Sequence, residues 1–484
     1  MVETVTNQTP YPTFVTVNGL MFFLDSESPT PLFKQLYDQI REQILLGKLS
    51  ADKKLPSVRD LASHLLISRN TVDAAYQELL AEGYIYSRSR SGYFVSPLDQ
   101  IAAPKSLENT SRIPGPPAEV ATRYRYDFHP ARLDTASFPV RLWRKLMLEC
   151  LREAPGRLSQ YGDPQGVPEL RFTLQNYLEH SRGVICEPQQ VVITAGLQNS
   201  LDIVATLLKE KHSAVAFEDP GYTLAGNIFR NHDYCVVPVP VTENGIDVDL
   251  LAATSSSIAY VTPSHQLPMG YVMPIANRLR LLEWSEIGEH FILEDDYDSE
   301  LRYIGKPIPS LQGLRPDGNV IYFGTFSKVL SPALRISYMV LPQSLLPSYR
   351  HSFQGYFCPV SQLEQRILAK FIAEGHWERH IRRMRNIYKK KHDATTTAIR
   401  KHFNDRAQIE GQGAGLHLIV KLLGSACKEE ELIAKAHAKG VNLFPFSWTC
   451  ASKVPATTYL MLGFGGLALG EIDQSVALLA NLCF

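Results

Sequence analysis

Apolar residues recur with helical spacing near the start of the chain and in short strand-like runs further on. The stretch 31–47 carries a helical face at positions 32, 33, 36, 40 and 44, and Gly47 ends it. Later runs of four apolar residues, such as 320–323, are typical of buried strands. The pattern therefore predicts a helical unit in front and a body of helices and strands behind it.

Two short helical stretches follow the first helix. Ser57 precedes one, from Val58 to His64, and Ser68 precedes the other, from Arg69 to Glu82. A serine just before a helix accepts a hydrogen bond from the first turn, so each stretch has its own cap. The two capped helices predict a helix-turn-helix, whose second helix offers its N-terminal turn to the major groove of DNA.

A hairpin is predicted immediately after these helices. The strand-like segments 84–86 and 93–95 bracket the turn 87–92, whose tip carries Arg88 and Arg90. Arginines at a hairpin tip suit phosphate groups, so this hairpin is predicted to be a wing. Small helical units alone serve dimerisation just as often, and the arginine-tipped wing favours DNA binding.

Composition indicates a globular chain with more than one domain. The 484 residues are 45% hydrophobic and 20% charged, which is ordinary globular usage. Residues 98–124 are rich in proline and small polar residues and predict a linker. We therefore predict a DNA-binding domain at 1–97, with its core at about 31–96, and a second domain at 125–484.

Charge and cysteine usage limit the partners and the compartment. The 49 basic residues balance 49 acidic ones, so any DNA contact must come from local placement of charge. Seven scattered cysteines without a Cys-x-x-Cys pair indicate reduced thiols and disfavour a zinc site. The sequence lacks a signal peptide and an apolar run long enough to span a bilayer. We expect a cytoplasmic protein with neither a metal nor a membrane partner.

Lys328 carries the candidate chemistry of the second domain. It follows the apolar run 320–323, so it stands at the carboxyl edge of a sheet, where α/β proteins present ligands. Ser327 and Arg335 flank it, and a hydroxyl and a guanidinium both suit phosphate oxygens. A desolvated lysine loses its proton readily, as imine formation requires. These features predict a Schiff base with pyridoxal phosphate, whereas an isolated Ser-Lys pair would be an exposed lysine.

Further segments fit the same cofactor. Its ring nitrogen needs a carboxylate, because only the protonated ring is a good electron sink, and Asp295 follows the apolar run 290–293. Tyr297 is placed to reach the phenolic oxygen, and Tyr222 to stack on the ring, although a turn tyrosine often serves packing alone. Tyr161 stands in a loop that is predicted to reach a partner subunit. The predicted helix start suited to phosphate comprises Gly196, Leu197 and Gln198.

The front unit closely resembles the GntR-type winged helix. The resemblance rests on the segments 55–59, 68–72, 80–83 and 91–94, which read Leu-Pro-Ser-Val-Arg, Ser-Arg-Asn-Thr-Val, Leu-Ala-Glu-Gly and Ser-Gly-Tyr-Phe. It implies an α+β winged helix-turn-helix domain that binds double-stranded DNA. By this resemblance the DNA contacts are Arg59, Ser68, Arg69, Asn70 and Thr71.

From about residue 125 the chain resembles a fold-type I, class I aminotransferase, and the fusion resembles the MocR/GabR regulators over nearly its whole length. The resemblance implies an α/β fold with a mainly parallel sheet, pyridoxal phosphate as cofactor and a homodimer. Lys328 would hold the aldehyde, Asp295 the ring nitrogen and Tyr297 the phenolic oxygen. Tyr222 would stack on the ring. The phosphate contacts would be Ser327, Arg335, Gly196, Leu197 and Gln198.

Two departures bear on the ligand. Met461 replaces the arginine that usually grips a substrate carboxylate, and Leu224 replaces a second arginine of the γ-aminobutyrate sensor, so we disfavour γ-aminobutyrate. Arg132 as a substitute, an effector without a carboxylate, and pyridoxal phosphate itself remain open. The favoured interpretation is a transcriptional regulator that senses an amine, an amino acid or the cofactor. The alternatives are an active aminotransferase with a DNA-binding head and a cofactor-free dimeriser.

Overall fold

A computed structural model describes the residues 15–17, 20–26, 28–89, 91–97, 124–153, 155–305, 308–411, 413–424, 427–452 and 454–484. Contacts divide the chain into one unit that ends at Val120 and another that begins at Ala121. The predicted linker lies outside the described residues except for Tyr124. None of the described helices combines the length and the apolar character that crossing a bilayer requires.

The front unit has the predicted three helices and hairpin. Its elements are β1 Val15–Val17, β2 Leu20–Phe22, α1 Leu32–Leu45, α2 Val58–Leu65, α3 Arg69–Ala81, β3 Ile85–Arg88 and β4 Gly92–Val95. The Ser57 hydroxyl accepts from the Asp60 amide at 3.1 Å, and the Ser68 hydroxyl accepts from the Thr71 amide at the same distance. Strands β3 and β4 pair antiparallel as a wing. The winged helix-turn-helix fold is thereby confirmed.

A small core holds these helices together. Leu36 and Ile40 of α1 pack against Val72 and Leu79 of α3, and all four side chains are buried. Tyr76 is also buried, and its hydroxyl donates to the Pro56 carbonyl at 3.0 Å, which ties α3 to the segment before α2. Because the apolar face of α3 is used in this way, its first turn is left to solvent.

The second unit contains these elements in chain order: β5 Tyr126–Asp127, α4 Val140–Glu153, α5 Pro168–Arg182, β6 Val191–Thr194, α6 Leu197–Leu208, β7 Ala214–Asp219, α7 Thr223–Asn231, β8 Cys235–Thr242, β9 Gly245–Ile246, α8 Val248–Ala252, β10 Ile258–Val261, α9 Ile275–Glu286, β11 Phe291–Asp296, α10 Leu311–Leu314, β12 Val320–Thr325, β13 Ser337–Val340, α11 Leu346–Ser352, α12 Gln362–Ala373, α13 His376–Phe403, β14 Ala407–Glu410, β15 His417–Leu422, α14 Glu429–Ala438, β16 Val441–Asn442, β17 Tyr459–Gly463 and α15 Ile472–Cys483.

The main sheet has the strand order β6-β13-β12-β11-β10-β7-β8-β9 among the described residues. The strands from β12 to β8 are parallel to their neighbours, and β13 and β9 pair antiparallel. Both faces are covered, since Leu293 and Phe323 pack in one apolar cluster while Ile292 and Val320 pack in another. The mainly parallel α/β fold is confirmed, and the carboxyl ends of β10, β11 and β12 meet at one edge.

Strand β11 is longer than the apolar pattern predicts. The apolar run ends at Leu293, but the strand continues through Glu294, Asp295 and Asp296, and all three acids are buried. The backbone amides of Leu311 and Gln312 donate to Glu294, which lets a carboxylate replace an apolar residue inside the sheet. An acidic run that would suit a solvated turn is therefore part of the central sheet.

Candidate functional site

Lys328 lies three residues beyond the end of β12 and is half-buried. Its Nζ is 3.5 Å from the Pro130 carbonyl oxygen and 5.7 Å from the centre of the Tyr297 ring. Burial lowers the pKa of this amine, while Asp298 and Asp295 oppose the shift. The amine is thus placed and tuned to act as a nucleophile toward an aldehyde.

Asp295 faces the same site because side chains alternate along a strand. The adjacent acids Glu294 and Asp296 have other partners. Asp296 accepts from Arg182 Nε at 2.6 Å and from the Tyr322 hydroxyl at 2.5 Å. Asp295 accepts from the hydroxyl of Tyr260 on the adjacent strand, also at 2.5 Å. Burial raises the pKa of Asp295 to about 7, and the nearby Lys328 works against that rise.

His265 belongs to this cluster although the sequence interpretation missed it. Its Nδ1 is 2.8 Å from Asp298 Oδ2 and 3.0 Å from the Tyr297 hydroxyl, and its Nε2 is buried without a hydrogen-bond partner among the described residues. The segment that follows β10 carries it to the same edge of the sheet. The strand-end rule that singled out Lys328 would have found it, had it been applied to β10.

Gly196 and Arg335 approach each other closely enough to form one wall of a cradle. Gly196 precedes α6 with a φ of +92°, which favours glycine, and a Cβ atom there would lie 2.2 Å from Arg335 Nη2. Arg335 Nη2 donates to the Ala195 carbonyl at 3.3 Å. The first amides of α6 have no acceptor within the helix, and with Arg335 and the nearby Ser327 hydroxyl they suit a phosphate.

Tyr222 lies with this group, and Tyr161 does not. Burial raises the pKa of the Tyr222 hydroxyl, Asp295 raises it further and Arg335 lowers it, so this hydroxyl is close enough to both charged groups to interact with them. The Tyr161 ring is 82% exposed and stacks on Phe357 at 4.2 Å between ring centres. Nothing in the described part of one chain brings Tyr161 to Lys328.

These residues fit pyridoxal phosphate on structural grounds. The unpartnered His265 Nε2 is a buried polar atom that lacks only a ligand, and the cradle at Gly196 leaves backbone amides and a guanidinium for a phosphate. Asp295 offers a buried oxygen to a ring N–H, and Lys328 offers an amine of lowered pKa to an aldehyde. When bound, the cofactor supplies that aldehyde and an electron sink.

The positions that bear on a substrate carboxylate carry no free guanidinium. Met461 is buried in an apolar cluster with Ile419 and Phe446. Leu224 is half-exposed at the start of α7. Arg132, the suggested substitute, is exposed and donates from Nε to Asp127 at 2.7 Å.

The predicted DNA contacts in the front unit fall into two groups. Arg59, Arg69 and Asn70 are exposed, as a contact to DNA requires. The hydroxyls of Ser68 and Thr71 lie 2.8 Å apart and bond to each other, so their first role is to cap α3. Capping leaves them at the exposed turn, where each retains hydrogen-bonding capacity.

The wing differs in detail from the prediction. Arg88 lies over the Phe94 ring at 4.7 Å and its Nη2 is 3.3 Å from Asp52 Oδ1, so its guanidinium folds back onto the wing. This pair is exposed, and such pairs are weak enough to exchange for phosphate. Arg90 lies outside the described residues. Lys54, which the sequence interpretation did not single out, is exposed and bridges to Phe94 beside the wing.

Glu218 is a buried acid near Asp295 whose protonation should be visible in stability. Its Oε2 accepts from the Thr262 hydroxyl at 2.6 Å, and its Oε1 is buried without a partner among the described residues. Burial raises its pKa to about 7, so the folded state binds this proton more tightly than the unfolded state does. As pH rises through 5 to 7, the wild type should therefore lose more stability than Glu218→Gln.

The prediction is tested by urea unfolding of cofactor-free wild type and Glu218→Gln between pH 5 and pH 8. The free energy of unfolding of the variant relative to wild type should increase by about 1–2 kcal/mol from pH 5 to pH 7 and then level off. Other titrating groups are common to both proteins and cancel in the difference. A difference that stays constant with pH would show that Glu218 is ionised throughout.

Comparisons with known proteins match both units. The family described as "Bacterial regulatory proteins, gntR family" matches residues 32–95, and "Aminotransferase class I and II" matches residues 131–455. "Uncharacterized HTH-type transcriptional regulator YdeL" of Bacillus subtilis is 39% identical over 94% of this chain and 97% of its own. "Probable rhizopine catabolism regulatory protein MocR" of Rhizobium meliloti is 36% identical over 92% of each chain.

The solved structures support the cofactor. The α-aminoadipate aminotransferase LysN of Thermus thermophilus, complexed with N-(5'-phosphopyridoxyl)-L-leucine, superposes with a TM-score of 0.67. The two are 27% identical, and the match covers 74% of this chain and 91% of that one. The fold and the ligand of that structure agree with the residues gathered around Lys328, which indicates pyridoxal phosphate as the cofactor.

Proposed function

The chain belongs to the MocR type of GntR-family transcriptional regulators, and we propose that pyridoxal phosphate held at Lys328 sets its affinity for operator DNA. The observation that carries the proposal is the setting of Lys328, a half-buried amine facing Asp295 in a chain that also has a winged helix. A regulator with such a site could bind an amine covalently through the aldehyde of the cofactor. The seven scattered cysteines, which include no Cys-x-x-Cys pair, and the DNA-binding head support action in the cytoplasm.

Each residue of the site has a separate task in this proposal. Lys328, whose pKa is lowered by burial, would hold the aldehyde. Asp295, oriented by the Tyr260 hydroxyl, would bind the ring N–H. His265 and Tyr297, hydrogen-bonded to each other, lie beside the ring where its phenolic oxygen would be. Tyr222 stacks on the ring.

The phosphate is held at the opposite end of the ring. We assign it to Arg335, the Ser327 hydroxyl and the α6 amides of Gly196, Leu197 and Gln198. These groups would hold the phosphate independently of Lys328. An amine at the Lys328 site would shift DNA affinity only if the body has two forms that bind DNA differently.

A homodimer would complete the site. Tyr161 is exposed in one chain and stacks on Phe357, and Tyr356 beside it is also exposed. Exposed aromatic side chains of this kind mark interaction surfaces. We propose that a second copy covers them and that Tyr161 of one chain reaches the phosphate of the other. Two winged helices would then bind a repeated operator.

An active aminotransferase is the second candidate, because the residues that would hold the cofactor are all present. The buried Met461 weighs against it, since no guanidinium is available there to position an α-carboxylate for turnover. A single half-reaction with an amine would still be compatible with sensing.

Footprinting on the DNA upstream of its own gene tests the proposal. We expect a protected site with two half-sites, occupied by two chains and lost at high salt. Assays with amino-acid and keto-acid pairs should show no sustained turnover. Steady multiple turnover with such a pair, together with no protected DNA, would favour the enzyme.

A further inference from the structure

A wall of aromatic and apolar side chains begins beside Lys328. The Pro130 carbonyl is 3.5 Å from Lys328 Nζ, and the ring of the preceding His129 meets the edge of Phe444 at 5.1 Å between ring centres. The Phe444 ring in turn meets Trp448 at 5.6 Å. A group attached to an amine at Lys328 would lie beside the Pro130 loop, which these rings adjoin.

Met461 lies on the same side of the small sheet as this wall. The backbone of Met461 forms an antiparallel β-bridge with that of Phe444. Gly463, two residues along β17, lies against the loop that carries Pro130, since a Cβ atom there would be 2.6 Å from Pro130 Cα. Residues two apart on a strand share a face, so the Met461 side chain is directed to the side of Pro130 and Phe444. The apolar cluster of Met461 is therefore continuous with the wall.

Electrostatics around this wall disfavour an acidic ligand. Burial lowers the pKa of His129, Asp127 opposes that shift, and Arg132 and Lys328 add to it, so the site disfavours the charged form of this ring. The one guanidinium that the described residues place beside it, Arg132, already pairs with Asp127. Asp298 and Asp295 are acidic groups that act on Lys328 itself. A carboxylate at the wall would have to compete with Asp127 for Arg132.

We propose that the effector is a primary amine with an aromatic or apolar tail and no acidic group. Its amine engages the Lys328 site and its tail packs on Phe444, Trp448 and Met461. This inference rests on the proposed function, because it assigns the ligand class of the same site. It also selects one of the three possibilities that the sequence left open.

The test follows the visible absorption of the cofactor-loaded protein during titration with matched pairs of ligands. Phenethylamine is compared with phenylalanine, and tryptamine with tryptophan, with γ-aminobutyrate as a third class. We expect each amine to change the spectrum at a concentration at least tenfold lower than its amino acid. Met461→Arg should reverse that order, because it adds a partner for the carboxylate. Leu423→Arg is the control, because Leu423 is exposed just after β15 in the same small sheet. This variant should still respond to each amine at a lower concentration than to its amino acid.

A second variant covers the case in which arginine at the buried position 461 prevents folding. Trp448 is 65% exposed, so Trp448→Ala should fold, keep the visible band and weaken the response to tryptamine at least several-fold. Responses to the amino acids that equal or exceed those to the amines, or no response to any amine, would overturn the inference. A visible band that depends on Lys328 would, in either case, leave the proposed function standing. A colourless wild-type protein would overturn both.

Discussion

Lys328→Ala protein should be colourless after purification with pyridoxal phosphate, whereas the wild type should show a visible band that borohydride abolishes. The half-buried amine at the end of β12 is the group that can bond to an aldehyde, and alanine removes it. The phosphate cradle at Gly196 and Arg335 remains, so residual non-covalent binding is expected at higher cofactor concentrations. Absorption spectra before and after dialysis measure the difference.

Lys211→Ala is the matched control for this change. Lys211 is exposed, pairs with Glu289 and lies outside the site. Its loss should leave the band unchanged. A Lys328→Ala protein that kept the full band through dialysis would mean that another amine holds the cofactor, and the assignment of the site would be wrong.

Arg69→Ala should weaken operator binding by about 1–3 kcal/mol, which is roughly five-fold to more than a hundredfold in dissociation constant. Arg69 is exposed at the first turn of α3, where a guanidinium reaches either a base edge or a phosphate. A phosphate contact and a base contact can be told apart by the salt dependence and the sequence preference of binding. Loss of a phosphate contact lowers the salt slope by about one, and loss of a base contact relaxes the preference for one base pair.

Arg41→Ala serves as the control within the same unit. Arg41 is exposed on α1, 3.6 Å from Asp38, and α1 is not the helix that enters the groove. Its replacement should leave operator affinity and salt slope unchanged. Equal losses for Arg41→Ala and Arg69→Ala would point to general electrostatic attraction and away from a recognition helix.

The fold could be predicted from the sequence because its local signals agree with one another. Ser57 and Ser68 stand where helices begin, and the run 320–323 is apolar because both faces of the sheet are covered. The strand-end rule placed Lys328 and Asp295 at one edge, and the structure brings them together. When a motif follows a parallel strand, the sequence alone indicates which other strand ends lie near it.

The remaining features depend on contacts that no local pattern encodes. Strand β11 continues through Glu294 because amides from a distant helix satisfy that carboxylate. Tyr260 looks like any apolar-strand residue until the pairing of β10 with β11 puts its hydroxyl on Asp295. Arg88 folds onto the wing because Asp52, far away in sequence, lies beside it. The predicted contact of Tyr161 with the phosphate depends on a second chain, because Tyr161 is exposed in one chain.

Operator affinity measured while pyridoxal phosphate is added tests the central claim most directly. With wild-type protein stripped of cofactor, the dissociation constant for its operator should change at least tenfold as the visible band appears, and the two titrations should coincide. With Lys328→Ala neither should change over the same concentrations. An operator affinity that is the same for stripped and loaded wild type, with and without amines, would contradict the claim that Lys328 controls DNA binding.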